Sequence, residues 1–305
     1  KGATAITISA AGAVPARFAR IWGHTEIAFN AKTQVAWGSR KIEVALVLDN
    51  TGSMSSSGKM DALKTAATNF IDTLQAVATT PDSVKISIVP FDTSVKAGTT
   101  YSNANWLTKY YIPAAQQPSW NGCVMDRDQS YDVDDSVPNP GVLSTLYPAR
   151  MCANANLAPI MPLTNDFNAL RTRITEMQPS GNTNVTIGVS WGLATLSPDN
   201  PMTGALPFGT ADLEKFMIVL TDGDNTQNRW TTSQGAIDAR TALACAAVKA
   251  QNVKLYTVRV INGNATLLRN CATSATMYFN VSDASQLDPV FQQIASSIKG
   301  IRLTN

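Results

Sequence analysis

Residues 42–48 run Ile-Glu-Val-Ala-Leu-Val-Leu and end on Asp49, and no other stretch constrains the fold as strongly. A strand with one wet face alternates polar and apolar residues, whereas a strand covered by helices on both faces need not. The run therefore predicts a buried strand of a parallel sheet. Residues 84–91 read as a second strand, 216–220 as a third, 253–260 as a fourth and 277–281 as a short fifth. Helical spacing fills the gaps. Met60, Leu63, Ala67, Phe70, Ile71, Leu74 and Val77 recur on one helical face. Ser233 is placed to cap a helix reaching about residue 250, and Leu287, Val290, Phe291, Ile294 and Ile298 give a closing amphipathic helix. Strands alternating with helices predict an α/β fold with a doubly wound, mostly parallel sheet.

The 305 residues suffice for one large α/β unit and a smaller piece. Residues 1–40 read as a small β-rich N-terminal appendage, with extended stretches anchored by Ile6 and Ile8 and over 26–37. Between them, Pro15 and residues 18–21 suggest a turn and one helical turn. Lys1 and the Ala-rich start resemble a signal peptide, but Thr4, Thr7 and Ser9 break the apolar core, so the segment reads as mature protein. The main unit covers 41–305. Within it, residues 93–160 lose all regularity and are rich in Pro, Asn, Asp and aromatics, which predicts a long loop-rich insertion.

Four cysteines, Cys123, Cys152, Cys245 and Cys271, form no CxxC pair, and the chain has one histidine, His24, which disfavours zinc. Their number and spacing fit two disulfides and an oxidising compartment, with a Cys123–Cys152 bridge across the insertion; four free thiols in a cytosolic protein are the alternative. The net charge of +2 argues against nucleic acid or an anionic membrane as partner. No apolar run approaches the roughly 20 residues that span a bilayer.

The chemistry gathers at strand ends. In doubly wound sheets, ligands bind beyond the carboxyl edge. Asp49 stands at that edge, and Thr51 and Ser53 follow at alternate positions of the next loop. Asp222 ends the 216–220 strand at the same edge. Thr183, in Gly181-Asn182-Thr183-Asn184, precedes a helix, although Thr186 lies close enough to compete for its role. Two carboxylates and three hydroxyls are hard oxygen donors, which suit Mg²⁺, with Mn²⁺ or Ca²⁺ as substitutes. An acidic side chain from a partner protein could complete the shell.

These residues resemble the metal-ion-dependent adhesion site of von Willebrand factor A domains, whose pattern is Asp-x-Ser-x-Ser, a distant Thr and a distant Asp. Here it reads Asp49-Asn50-Thr51-Gly52-Ser53, Thr183 and Asp222, with Thr51 retaining the hydroxyl of the serine it replaces. The resemblance covers about residues 42–300 and implies a Rossmann-like von Willebrand factor A fold. A narrower likeness is carried by residues 42–54 (IEVALVLDNTGSM), Gly122-Cys123, Asp126-Arg127, Trp191-Gly192, Leu196-Ser197-Pro198, Cys245 and Cys271. Together these are similar to TadG-like proteins of bacterial tight-adherence (Flp) pilus systems. That likeness implies an N-terminal inner-membrane anchor upstream of Lys1, an A domain outside the cytoplasm in the periplasm or at the cell surface, a pilus component as partner, and Cys245–Cys271 as the second disulfide.

Other signals are weaker. Asp126, Asp128, Ser130, Asp132 and Asp134 alternate like a calcium loop, but Tyr131 replaces the sixth-position Gly and Val137 the twelfth-position Glu, so a solvated acidic loop is expected, with a second, irregular Ca²⁺ site as the alternative. Residues 52–59 imitate a P-loop with one residue too many and Met60 where a hydroxyl should be. His24 has no nucleophile elbow to serve, and Trp191 reads as core. The expected function is therefore non-catalytic: a cation-dependent protein-binding module in pilus assembly or adhesion. The alternative is a scaffold whose metal only rigidifies the fold while the insertion binds.

Overall fold

The computed structural model describes residues 4–15, 22–23, 25–37 and 40–303. His24 and the expected helical turn at residues 18–21 lie outside the described residues. Strands β1 (Thr4–Pro15) and β2 (Glu26–Trp37) form an antiparallel ribbon in register from Thr4↔Trp37 to Pro15↔Glu26. This is the β-rich start expected of the sequence. The ribbon is a two-stranded sheet of its own, with Ile8, Val14, Ile27 and Phe29 at least half exposed.

Strand β3 (Lys41–Asp49) leads into helix α1 (Lys59–Gln75) and strand β4 (Val84–Phe91). Five short strands follow: β5 (Val95–Lys96), β6 (Leu107–Thr108), β7 (Cys123–Val124), β8 (Tyr147–Arg150) and β9 (Met161–Thr164). Helices α2 (Phe167–Glu176) and α3 (Val185–Leu196) come next, then β10 (Leu213–Thr221), α4 (Gln234–Ala250), β11 (Lys254–Val260), α5 (Ala265–Cys271), β12 (Tyr278–Val281) and α6 (Leu287–Leu303). One ten-stranded sheet runs β12-β11-β10-β3-β4-β5-β7-β8-β6, with β9 also on β4. The strands from β12 to β4 are parallel to their neighbours, as the apolar runs require.

Burial follows the pleat. Ile42, Val44, Leu46 and Leu48 face one layer with Met60, Leu63, Phe70, Phe291 and Ile294 of α1 and α6. Ala45 and Val47 face the other layer, with Val189, Trp191 and Leu193 of α3 and Val248 of α4. Helix α3 is buried along its whole length and lies flush on the sheet. A Cβ at Gly192 would stand 2.5 Å from Val47 Cγ2, and one at Gly188 would stand 2.7 Å from Phe91 Cδ1. Only glycine at these two positions lets the helix approach so closely.

The irregular stretch differs from a plain loop. Its short strands extend the sheet beyond β4, β5 pairing with it antiparallel, β7 on β5 and β8 on β7, and β9, just past the stretch, also pairs antiparallel with β4. Strands of two to four residues are too short to display periodicity, so sequence patterning cannot reveal them. Trp106 and Tyr147 of this stretch close on Trp191 with ring centroids 6.1 and 4.8 Å away, and Trp191 is core as expected. Disulfides join Cys123 to Cys152 and Cys245 to Cys271. The chain-entropy model assigns the first about 3–4 kcal/mol for closing its loop. Ser233 stands at the N-cap of α4, but its hydroxyl makes no capping bond. Among the described residues, no helix is long and apolar enough to cross a membrane.

Candidate metal centre

The chain order places a crevice before any side chain is considered. After β3 the chain moves to one side for β4 and later returns on the other side for β10. The direction of winding reverses at β3, and such a switch point opens a cleft at the carboxyl edge. Register brings the key residues to that edge: Leu48 pairs with Leu220, so Asp49 and Thr221 end adjacent strands together, with Asp222 next in line.

Both Asp49 oxygens are held. Oδ1 accepts from the Thr51 N–H at 2.8 Å, and Oδ2 accepts from Thr221 Oγ1 at 2.6 Å. Thr51 Oγ1 is 3.0 Å from Ser53 Oγ, which donates to Asp222 Oδ1 at 2.5 Å. The second Asp222 oxygen pairs with the Lys59 ammonium. Asp49, Thr51 and Asp222 are buried, while Ser53 is exposed at the mouth.

Thr183 arrives on a third loop that is stitched to the other two. Gly52 N–H donates to Gly181 O at 2.9 Å, and Ser180 N–H donates to Asn50 O at 2.8 Å. On the opposite side, Thr226 N–H donates to Thr183 O, and Thr183 N–H donates to Thr226 Oγ1. Gly181, at φ +89°, fits because a Cβ there would stand 3.1 Å from Asp92 Oδ2. A Cβ on Gly223 would lie 3.4 Å from Ser53 Oγ and 3.5 Å from Thr183 Oγ1, so both hydroxyls flank one spot that glycine leaves open. Thr186 takes no part; its hydroxyl shares a bond with Thr241 at 2.8 Å between α3 and α4. The structure thus gathers Asp49, Thr51, Ser53, Thr183 and Asp222 at one rim.

Electrostatics match that geometry. The Asp49 carboxyl is pushed up to about 6, first by burial and then by the Asp222 charge, against the pull of the Thr221 and Thr51 hydrogen bonds. Two buried, neighbouring carboxylates favour a positive charge beside them. Among the described residues, no cluster of three or more His, Cys, Asp or Glu is placed to hold a metal, so a cation at this rim draws on hydroxyls. Two carboxylates and three hydroxyls fit a hard divalent ion that keeps part of its water.

Two participants escape sequence patterning. Thr221 orients Asp49 from a neighbouring strand, and its signal is adjacency to Asp222. Lys59 opens α1, where the helix dipole disfavours a cation, and that misfit is its signal. The acidic run also differs from expectation. Rather than being solvated throughout, it buries Asp126 and Asp132, while Asp128 and Asp134 stay partly exposed and Ser130 is exposed. Asp126 accepts from Asn184 Nδ2 at 3.0 Å and from the Arg229 N–H at 3.1 Å. Asp128 pairs with Arg229, Asp132 with Arg240 and Asp134 with Arg127. The arginines come from distant segments or point inward, which sequence spacing does not reveal. Burial pushes the Asp126 carboxyl up to about 6.

Residues 153–293 match the family model of the von Willebrand factor type A domain, and the chain has the fold of such domains. The match begins beyond most of the irregular stretch, although the sheet places β3 and β4 at its centre. The vWF domain of the type V pili tip protein Mfa5 from Porphyromonas gingivalis superposes with a TM-score of 0.56 at 11 % identity, over 88 % of this chain and 98 % of that one. The pilus adhesin SpaC from Lactobacillus rhamnosus GG gives 0.52 at 14 % identity over 88 % of this chain, which spans only 32 % of SpaC. A point mutant of the PilB minor pilin from Streptococcus sanguinis gives 0.50 at 13 % identity, covering 90 % and 71 %. At such identities the likeness shows the fold. No curated protein matches the chain.

Proposed function

We propose that this chain is a divalent-cation-dependent protein-binding module that grips an acidic side chain of its partner. The observation that carries the reading is the convergence of Ser53, Thr183, Asp49 and Asp222 on one rim, with Ser53 open to solvent. In this reading Asp49, Thr51, Ser53, Thr183 and Asp222 hold Mg²⁺, or Mn²⁺ or Ca²⁺ in its place. The ion supplies a Lewis-acidic point for a carboxylate from outside. The chain's own residues orient the donors: Thr221 fixes Asp49, and the Thr226 loop fixes Thr183. No group is assigned a catalytic role. Residues 41–305 form the functional unit, with residues 1–40 as its appendage and about 93–160 as its insertion.

Two disulfides and the pilus-associated nature of the similar folds support a place outside the cytoplasm. Taken with the TadG-like sequence features, they support a role in tight-adherence pilus assembly or surface adhesion, on a protein anchored in the inner membrane upstream of Lys1. A second reading makes the ion structural and leaves binding to the insertion. The exposed rings of Tyr110 and Tyr111, on that insertion, favour it.

An immobilised array of acidic and neutral peptides separates the two. The expected result is retention of Asp- or Glu-containing peptides in Mg²⁺, lost in EDTA and in a Ser53→Ala variant. Retention that persists in EDTA would transfer the binding role to the insertion.

A further inference from the structure

Asp222 is partnered by a cation that belongs to the chain. The Lys59 ammonium pairs with Asp222 Oδ2, and the two side chains are 4 % and 0 % exposed. Lys59 opens α1, so its charge faces the positive end of the helix dipole and has also lost its water. Both circumstances disfavour an ammonium here, and the Asp222 carboxylate is what offsets them. The same carboxylate accepts from Ser53 Oγ at 2.5 Å, so Lys59 acts on the ring of donors itself.

We propose that Lys59 is a built-in counter-ion that weakens the rim's hold on a divalent cation alone and makes that hold depend on an external carboxylate. The inference rests on the cation-binding reading above. Its basis is a charge count at the rim. Asp49 and Asp222 bring two negative charges and Lys59 one positive charge, so an incoming divalent ion meets a single net negative charge. The loaded rim is then left with one net positive charge. Without Lys59 the loaded rim would be neutral. A carboxylate from a partner neutralises the surplus, so the rim favours capture of ion and acid together over storage of the ion.

The test is Mn²⁺ binding to the full chain, followed by the electron paramagnetic resonance signal of the free ion. Native protein, Lys59→Met and Lys59→Arg are compared, each with and without acetate. Removing a like charge a few ångströms from a divalent ion is expected to tighten Mn²⁺ binding about tenfold or more in Lys59→Met. Lys59→Arg retains the charge and should stay within about threefold of native. Acetate should strengthen Mn²⁺ binding by native protein and leave Lys59→Met nearly unchanged. If Lys59→Met folds poorly alone, Mn²⁺ is expected to restore its circular dichroism; failure to do so would overturn the proposal. Equal or weaker Mn²⁺ binding by Lys59→Met, with native binding intact, would overturn the role of Lys59 only. No binding by any of the three proteins would overturn the cation reading itself, and this inference with it.

Discussion

An Asp222→Ala variant is expected to lose Mn²⁺ binding and about 3–5 kcal/mol of stability together, because it leaves a buried charge unpaired. The Lys59 side chain is 4 % exposed, and its ammonium would face an apolar methyl instead of a carboxylate. Ser53 Oγ would lose its acceptor as well. Urea unfolding in EDTA reads the stability directly, since no ion then contributes. The double variant Asp222→Ala/Lys59→Met should recover most of that loss, because removing both partners of a buried pair leaves no orphaned charge. It should not recover Mn²⁺ binding. A single variant as stable as native protein would show that Lys59 and Asp222 do not depend on one another.

The second large effect is expected far from the rim. Trp191 is buried on α3 and meets Tyr147 at 4.8 Å and Trp106 at 6.1 Å, both from the irregular stretch. The Arg127 guanidinium lies over the Tyr147 ring, 4.5 Å from its centroid, and donates to Ser136 O and Asp134 O at 2.7 Å each. Trp191→Ala should therefore cost about 3–5 kcal/mol, the range for emptying a large aromatic site. It should also expose the irregular stretch to limited proteolysis. Because α3 begins two residues after Thr183, the loss should reach the rim as weaker Mn²⁺ binding. A urea cost below about 1 kcal/mol would mean the stretch does not lean on α3.

Much of this molecule is legible in its sequence because the signals are local. The run ending at Asp49 announces a strand buried on both faces, and β3 is that strand, with β4 and β10 parallel on either side. Alternate hydroxyls after Asp49 announce a loop turned toward one point, and Ser53 indeed meets Asp222. Less legible are features made by distance. Strands β5 to β8 exist only through their pairing, and two to four residues carry no period of their own. The acidic run looks solvated until Arg229 and Arg240 arrive from about a hundred residues away. Lys59 lies ten residues past Asp49, but the partner it seeks, Asp222, directly follows another strand. Thr183, before α3, is distinguishable from Thr186, in its first turn, only once that helix is in place, since one hydroxyl then faces Gly223 and the other Thr241.

The most direct measurement is the anomalous scattering of Mn²⁺ in a crystal of this chain. The account predicts a peak at the carboxyl edge between β3 and β10, about 2.0–2.3 Å from Ser53 Oγ, which disappears in Asp222→Ala. A peak only at surface acidic side chains such as Asp61 or Asp224, with the Ser53–Asp222 rim unchanged, would contradict it.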